Sequence, residues 1–171
     1  LLLPEDVDSY LMRDFCNPAL KDTLLLYGPP GTGKSVLCAA IAAERTGAQS
    51  LADLMQNIWH YDCKERQVRD SITGERLSNA LNASRCFNDA GAIFIFDEID
   101  ELTDGQQKEL TAFINFANKA TGVTIFATTN VDLRKKAAAA KKLQPALLSR
   151  FSYRQLIGPQ PAANFLPVVQ Q

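Results

Sequence analysis

The apolar residues of this 171-residue chain fall into short runs that are separated by glycine, proline and polar clusters. The run at 93–96 (IFIF) is apolar at every position, which is typical of a strand buried on both faces of a parallel sheet. Less uniform runs predict four more strands, at 23–28 (TLLLYG), 58–63 (IWHYDC), 122–130 (GVTIFATTN) and 152–158 (SYRQLIG). The pattern therefore predicts about five strands.

Helical stretches are predicted between these runs. They lie at about 34–44, at 50–57, at 106–120, and ahead of residue 93, where Leu77, Leu81, Ala83 and Phe87 form an apolar face. Strands that alternate with helices at this spacing predict a parallel sheet covered by helices.

The segment 134–142 (RKKAAAAKK) has low complexity and a strong positive charge. Alanine favours an exposed helix, but so short a helix is marginal alone, and a mobile basic loop is the alternative. A charge run is usually a solvated surface. A contact with nucleic acid or with another subunit is the functional alternative.

Composition indicates a single globular domain that does not span a membrane. Apolar residues make up 46% of the chain, and no apolar stretch approaches the ~20 residues of a membrane helix. The net charge of −1 shows no general basic excess of the kind that marks nucleic-acid binding. Cys16, Cys38, Cys63 and Cys86 are widely spaced, which predicts reduced thiols in a cytoplasmic protein. We interpret the single histidine, His60, as an ordinary strand residue.

Residues 28–35 (GPPGTGKS) match G-x-x-x-x-G-K-[ST] between a predicted strand and a predicted helix, the context of a phosphate-binding loop. Glycines at these positions let backbone N–H groups close around phosphate oxygens, and the helix start adds a favourable field. Lys34 is expected to reach the terminal phosphates, and Ser35 to give its hydroxyl to Mg²⁺. We expect nucleotide contacts along the loop at Gly28, Pro29, Pro30, Gly31, Thr32, Gly33, Lys34, Ser35 and Val36. A turn without a ligand is the alternative.

Carboxylates crowd the end of the run at 93–96. In nucleotidases with a phosphate-binding loop, an aspartate at the end of an adjacent strand holds Mg²⁺, and Asp97 has that place. Glu98 is expected to polarise the attacking water. A metal and phosphates would offset the repulsion between the acids. Asp100 and Glu101 are expected to face solvent or to cap the next turn.

Four segments in this order, GPPGTGKS, IFIFDEID, ATTN and PALLSRF, resemble the Walker A, Walker B, sensor 1 and arginine-finger segments of AAA+ ATPases. The resemblance implies a P-loop NTPase core: a three-layer α/β/α sandwich with ATP and Mg²⁺ as cofactors. It implies that Asn130 positions the water and senses the γ-phosphate. It also implies that Arg150 reaches a nucleotide bound by the neighbouring subunit. A turn residue at 130 and a solvated arginine at 150 are the alternatives.

The chain departs from the family pattern at three places. Residues 1–171 are interpreted as the core, with a helical lid beginning near 160–171 and the lid itself absent. In the stretch SITGER (71–76), Ile72 takes the place of the aromatic residue that many protein-remodelling members carry in the pore loop. LSRF resembles the Ser-Arg-Cys stretch of clamp loaders, with Phe151 in place of cysteine. Because the chain starts at Leu1 without methionine, we expect a longer natural protein.

The expected function is ATP binding and hydrolysis by a ring-forming ATPase that remodels a macromolecular partner. The ring is expected to be a homo-oligomer, with six subunits as the first expectation, or a hetero-oligomer. A clamp-loader or helicase-loader-like DNA replication or repair ATPase, and a structural nucleotide-binding ring subunit with little turnover, are the alternatives. A small-molecule kinase is disfavoured because DEID suits water activation better than acceptor binding. The sequence does not separate protein from nucleic-acid substrates.

Overall fold

The computed structural model describes residues 13–17, 22–84, 91–119 and 122–158. The strands are β1 Thr23–Tyr27, β2 Trp59–Asp62, β3 Ala92–Asp97, β4 Val123–Thr129 and β5 Tyr153–Leu156. The helices between them are α1 Lys34–Thr46, α2 Leu51–Asn57, α3 Arg66–Asp70, α4 Gly74–Ser84, α5 Asp104–Asn118, α6 Lys136–Lys142 and α7 Pro145–Leu148. A 3₁₀ turn, Ile99–Glu101, follows β3.

The five strands form one parallel sheet in the order β2-β3-β4-β1-β5. The central strands β3, β4 and β1 are adjacent, although long segments of chain separate them in sequence. Because parallel strands end at the same edge of a sheet, the residues that follow β1, β3 and β4 come together there. The predicted five-stranded parallel sheet is confirmed.

Two apolar cores cover the two faces of the sheet. On one face, Phe94 packs in a cluster with Phe113 of α5. On the other face, the adjacent Ile93 packs in a cluster with Ile41 of α1. Successive residues of a strand point to opposite faces, so an unbroken apolar run fills both cores at once. The three-layer α/β/α architecture is therefore confirmed.

Local signals set the ends of the helices beside the cleft. Helix α5 begins with a capping box, in which Thr103 Oγ1 accepts from the backbone of Gln106 at 3.2 Å and the Gln106 side chain accepts from Thr103 at 3.0 Å. Helix α1 starts after Gly33 and ends before Gly47, and both glycines have left-handed backbone angles. These caps fix where α5 begins and where α1 begins and ends.

Two details of the helix predictions change in the structure. Helix α4 buries Leu77, Ala80 and Leu81, whereas Ala83 is exposed, so its assignment to the apolar face was wrong. The reason is geometric: residues 77, 80 and 81 share one side of a helix, and residue 83 lies on another side.

Segment 134–142 contains the short helix α6, with Ala139 buried against the core.

Ile72 does not occupy an exposed loop, and its assignment to the pore-loop position was wrong. The side chain is 1% exposed and packs in the apolar cluster with Leu77 and Leu81 of α4. Residue 72 lies in the turn that leads directly into α4, and burial of its side chain anchors that turn. A side chain held in the core cannot contact a threaded substrate.

Phe87, Cys86 and the segment 160–171, where a lid was expected to begin, lie outside the described residues. The other three cysteines, Cys16, Cys38 and Cys63, are free thiols. Burial raises the pKa of Cys63 to about 12 and also raises that of Cys38. Among the residues that the structure describes, no helix has both the length and the apolar character to cross a bilayer.

Candidate nucleotide site

One cleft of about 430 Å³ opens at the edge of the sheet where β1, β3 and β4 end. Its lining residues from the glycine-rich loop and α1 are Pro30, Gly31, Gly33, Lys34, Ser35 and Val36. Its lining residues from the strand ends and their loops are His60, Asp62, Lys64, Asp97, Glu98, Thr128 and Asn130. The structure thus brings six of the nine predicted loop residues, both predicted acids and Asn130 into one site, whereas Gly28, Pro29 and Thr32 do not line it.

The glycine-rich loop needs glycine for steric reasons. Gly28 has φ +148°, and a Cβ there would lie 2.1 Å from the carbonyl oxygen of Ile157. Gly33 caps α1 with φ +86°, in the left-handed region that glycine adopts readily. These conformations turn the chain sharply from β1 into α1, and the helix start then faces the cleft.

Lys34 lies inside the loop, with its ammonium group held by loop oxygens. Its Nζ donates to the carbonyl oxygens of Pro29 at 2.7 Å and Gly28 at 3.0 Å, and to Thr32 Oγ1 at 3.3 Å. The residue is 5% exposed, and burial lowers its pKa, although the charges of Asp100 and Asp97 oppose that shift. A buried ammonium group in a glycine-rich loop is well placed to bind an anion in the cleft.

Asp97 is the centre of a hydrogen-bonded cluster. Its Oδ1 accepts from Ser35 Oγ at 2.8 Å and from Thr128 Oγ1 at 3.0 Å, and its Oδ2 lies 2.6 Å from His60 Nε2. Burial raises the pKa of Asp97, but the hydrogen bonds from His60, Ser35 and Thr128 outweigh it and lower the pKa overall. The same contact with Asp97 raises the pKa of His60. Asp97 is therefore an anion at neutral pH.

The donor set suits magnesium. Ser35 and Asp97 place a hydroxyl and a carboxylate oxygen side by side, and Mg²⁺ prefers such oxygen ligands. No cluster of three or more histidine, cysteine or acidic side chains forms a self-sufficient metal site within the described ranges. A nucleotide site does not need one, because Mg²⁺ there keeps several waters and binds phosphate oxygens. The residues present therefore fit a nucleotide-bound Mg²⁺.

Glu98 has an unusual backbone and a directed side chain. Its φ of +57° is the one positive value at a non-glycine residue in the described parts of the chain. Its Oε1 accepts from Asn130 Nδ2 at 3.0 Å, and Lys64 Nζ lies 3.2 Å from Oε2 as an ion pair without aligned hydrogen-bond geometry. Strained backbone of this kind clusters at functional sites, where surrounding contacts hold it in place.

Asp100 is hydrogen-bonded to the end of β4 beside the cleft, so its expected place in solvent or at a cap was wrong. Its Oδ1 accepts from Thr129 Oγ1 at 2.8 Å and from the backbone of Asn130 at 3.3 Å. The 3₁₀ turn after Glu98 swings this carboxylate back towards the end of β4, which sequence spacing did not reveal. Glu101, in contrast, is exposed as expected.

The sequence analysis missed four polar residues that line the cleft. His60 and Asp62 belong to the edge strand β2, Lys64 lies in the loop after it, and Thr128 lies near the end of β4. Their signal was present but weak: polar side chains within or directly after apolar runs. Assigning them to the site requires knowing that β2 and β4 are the two neighbours of β3.

Arg150 does not line this cleft. Its carbonyl oxygen accepts from Thr23 Oγ1 at 3.0 Å, which places its backbone beside the first residue of β1. The phosphate-binding loop follows the other end of this strand, roughly 15 Å away at ~3.3 Å per residue. Its Nε is buried without a hydrogen-bond partner. The structure therefore separates Arg150 from the site of its own chain.

A family model described as "ATPase family associated with various cellular activities (AAA)" matches residues 24–159. Replication factor C subunit 3 of Saccharomyces cerevisiae is 28% identical over 139 residues, which cover 81% of this chain and 36% of that protein. A proteasome-associated ATPase of an Arthrobacter species is 31% identical over 86 residues, which cover 46% of this chain and 14% of that protein. The chain thus spans well under half the length of these relatives.

The fold has solved counterparts. The ORC1 protein of Aeropyrum pernix, determined in complex with DNA, superposes with a TM-score of 0.60 and 18% sequence identity. The match covers 98% of this chain and 49% of that one. At this identity, the likeness concerns the fold.

Proposed function

Because the chain belongs to the AAA family of ATPases, we propose that its cleft binds ATP with Mg²⁺ and hydrolyses the bond between the β- and γ-phosphates. One observation carries this proposal: Lys34, the Ser35–Asp97 pair and the Glu98–Asn130 pair all open into the same cleft. Each pair joins residues far apart in sequence, so the arrangement is a product of the fold.

Each residue has a distinct proposed role. Lys34 binds the terminal phosphates, and the oxygens of Ser35 and Asp97 hold Mg²⁺, which neutralises phosphate charge when bound. Glu98 takes a proton from the attacking water, and that proton leaves with the inorganic phosphate. Asn130 holds Glu98 Oε1 by a hydrogen bond, which fixes the carboxylate among the residues that line the cleft.

We further propose that Arg150 acts in the site of a neighbouring subunit. The separation of Arg150 from its own cleft by the length of β1 supports this role, since no arginine of the described residues lines that cleft. An arginine supplied by another molecule can raise phosphoryl-transfer rates by about 10³ to 10⁵. Hydrolysis then requires assembly, and a ring is the closed form of such head-to-tail contacts.

The work done by ATP hydrolysis is proposed to be the remodelling of a macromolecular partner. A second candidate, loading of a protein onto DNA, has two observations in its favour. The match to replication factor C covers 81% of the chain, and Ile72 lies in the core, not in a substrate-threading loop. By comparison, the match to the proteasome-associated ATPase covers a smaller share of the chain, 46%.

A titration of activity tests the proposal. ATPase rate per subunit is measured over a dilution series with Mg²⁺, with and without DNA or an unfolded protein. We expect the ATPase rate per subunit to rise with protein concentration. We also expect it to rise when DNA or the unfolded protein is added, whichever of the two resembles the natural partner. Nucleotide binding without hydrolysis at any concentration or with either polymer would indicate a structural ring subunit.

A further inference from the structure

Gln107 of α5 is a buried glutamine whose entire amide group is engaged by backbone atoms. The residue is 1% exposed. Its Nε2 donates to the carbonyl oxygen of Lys142 at 2.8 Å and to that of Leu102 at 3.2 Å, and its Oε1 accepts from the backbone N–H of Gln144 at 2.8 Å. One side chain thus joins two distant parts of the chain.

The two joined segments lead to different functional groups. Leu102 follows the 3₁₀ turn that begins after Glu98. Residues 142–144 form the junction between α6 and α7, and the next turns run without interruption to Arg150. Within them, Leu148 N–H donates to Gln144 at 3.1 Å, and Arg150 N–H donates to Leu147 at 3.0 Å.

Apolar packing alone does not orient this segment. Leu143, Leu147 and Phe151 anchor it in the core, but apolar contacts have little directional preference. Hydrogen bonds impose distance and angle, and Gln107 makes them at the junction where α7 begins. A second link, from Gln144 Nε2 to the carbonyl oxygen of Asp104 at 3.0 Å, reinforces the same junction.

We propose that Gln107 is a positioning residue for Arg150: it fixes α7 relative to α5 and so sets where the guanidinium group meets the neighbouring subunit. This inference rests on the proposed role of Arg150 in the neighbouring site. The site of the same chain depends on Gln107 much less. Asp100 holds the turn after Glu98 through Thr129 and Asn130, independently of Gln107.

Mixed assemblies separate the two roles of a subunit. A Lys34→Ala subunit is expected to bind no nucleotide but to offer its Arg150, so we name it the donor. An Arg150→Ala subunit has an intact cleft, so we name it the acceptor. Each variant alone is expected to be nearly inactive, and mixing donor with acceptor is expected to restore hydrolysis at the interfaces where Arg150 faces an intact cleft.

Gln107→Met is then introduced either into the donor or into the acceptor, but not into both. Methionine keeps the length of the side chain but makes none of the three hydrogen bonds. In the donor, Gln107→Met is expected to lower restored activity at least about tenfold, because misplacing a catalytic group by about 1 Å can cost 10²-fold. In the acceptor, it is expected to leave restored activity close to that of the parent mixture.

Thr124→Val is the matched control. Thr124 is also fully buried, and its Oγ1 accepts from Arg45 Nη2 at 2.9 Å, on the face of the sheet that α1 covers. Its loss removes a buried hydrogen bond on the opposite face of the sheet from Leu147 of α7. We expect Thr124→Val to have the same effect on restored activity in donor and acceptor. Thermal unfolding shows whether Thr124→Val and Gln107→Met lose comparable stability.

Equal losses in donor and acceptor, or no loss in either, would overturn the role of Gln107. An inactive donor–acceptor mixture beside an active wild type would instead overturn the role of Arg150 between subunits, and the inference with it. If Gln107→Met does not fold, Gln144→Ala is tested in the donor and in the acceptor in its place. It removes the link to Asp104 from a half-buried side chain and is expected to weaken the donor alone, to a smaller degree.

Discussion

Asn130 donates a hydrogen bond of 3.0 Å to Glu98 across the ends of the neighbouring strands β4 and β3. The two residues are 32 positions apart in the chain. The bond engages Oε1 of Glu98, while Oε2 is buried 3.2 Å from Lys64 Nζ. Glu98 is thus held by its neighbours in a strained backbone conformation, and this arrangement makes its role testable by conservative substitution.

Glu98→Gln should separate binding from hydrolysis. Glutamine keeps the size of the side chain but cannot take a proton from water, so turnover should fall by about 10² or more. ATP affinity should persist, as measured by titration with a fluorescent ATP analogue. Glu101→Gln, at an exposed acid of the adjacent turn, is the matched control and should hydrolyse ATP normally. Near wild-type turnover of Glu98→Gln would remove Glu98 from the catalytic role.

Lys34→Ala should abolish tight nucleotide binding. The ammonium group is the buried cation of the loop, and losing a charge-assisted contact to phosphate should weaken ATP binding at least about tenfold. The circular dichroism spectrum should be unchanged, because the two apolar cores do not include this side chain. The exposed Lys108→Ala on α5 is the control. Wild-type affinity of Lys34→Ala would show that phosphate binds elsewhere.

Removal of divalent metal should stop hydrolysis, and the two proposed ligands should differ in importance. Asp97→Ala removes the charged ligand and the acceptor of three hydrogen bonds, so it should lower turnover at least as much as Ser35→Ala. The measurement is ATPase rate against Mg²⁺ concentration. Added Mg²⁺ should rescue Ser35→Ala further than Asp97→Ala. Full activity of the wild type in excess chelator would contradict the assignment.

Two glycine substitutions should change stability in opposite directions. Gly91 has φ +85°, and a Cβ there would lie 2.1 Å from the carbonyl oxygen of Gly122, where β3 and β4 begin. Gly91→Ala should lower the free energy of unfolding by more than about 1–2 kcal/mol, the cost of a left-handed residue alone. Gly105 of α5 has open space around it, so Gly105→Ala should raise the free energy of unfolding by about 0.5 kcal/mol. Chemical denaturation measures both, and a stable Gly91→Ala would show that the strand ends can separate.

The strands, the helices and the chemistry of the phosphate-binding loop could be predicted from the amino-acid sequence. Apolar runs of strand length, such as 93–96, identified the sheet because a strand buried on both faces carries mainly apolar side chains. The spacing of Gly28, Gly33, Lys34 and Ser35 identified the phosphate-binding loop because that geometry is local. Local patterns of this kind are complete within a few residues.

Which polar residues share the cleft depends on long-range packing and could not be predicted from the sequence. His60 contacts Asp97 because β2 is the neighbour of β3, and strand order depends on packing between distant segments. Asp100 turned back towards Asn130 and Ile72 entered the core, although both looked exposed from their local context. The position of Arg150, at the opposite end of β1 from the loop, likewise follows from long-range pairing of β5 with β1. Sequence periodicity describes one element at a time, whereas a site at the end of a parallel sheet is defined by how several elements meet.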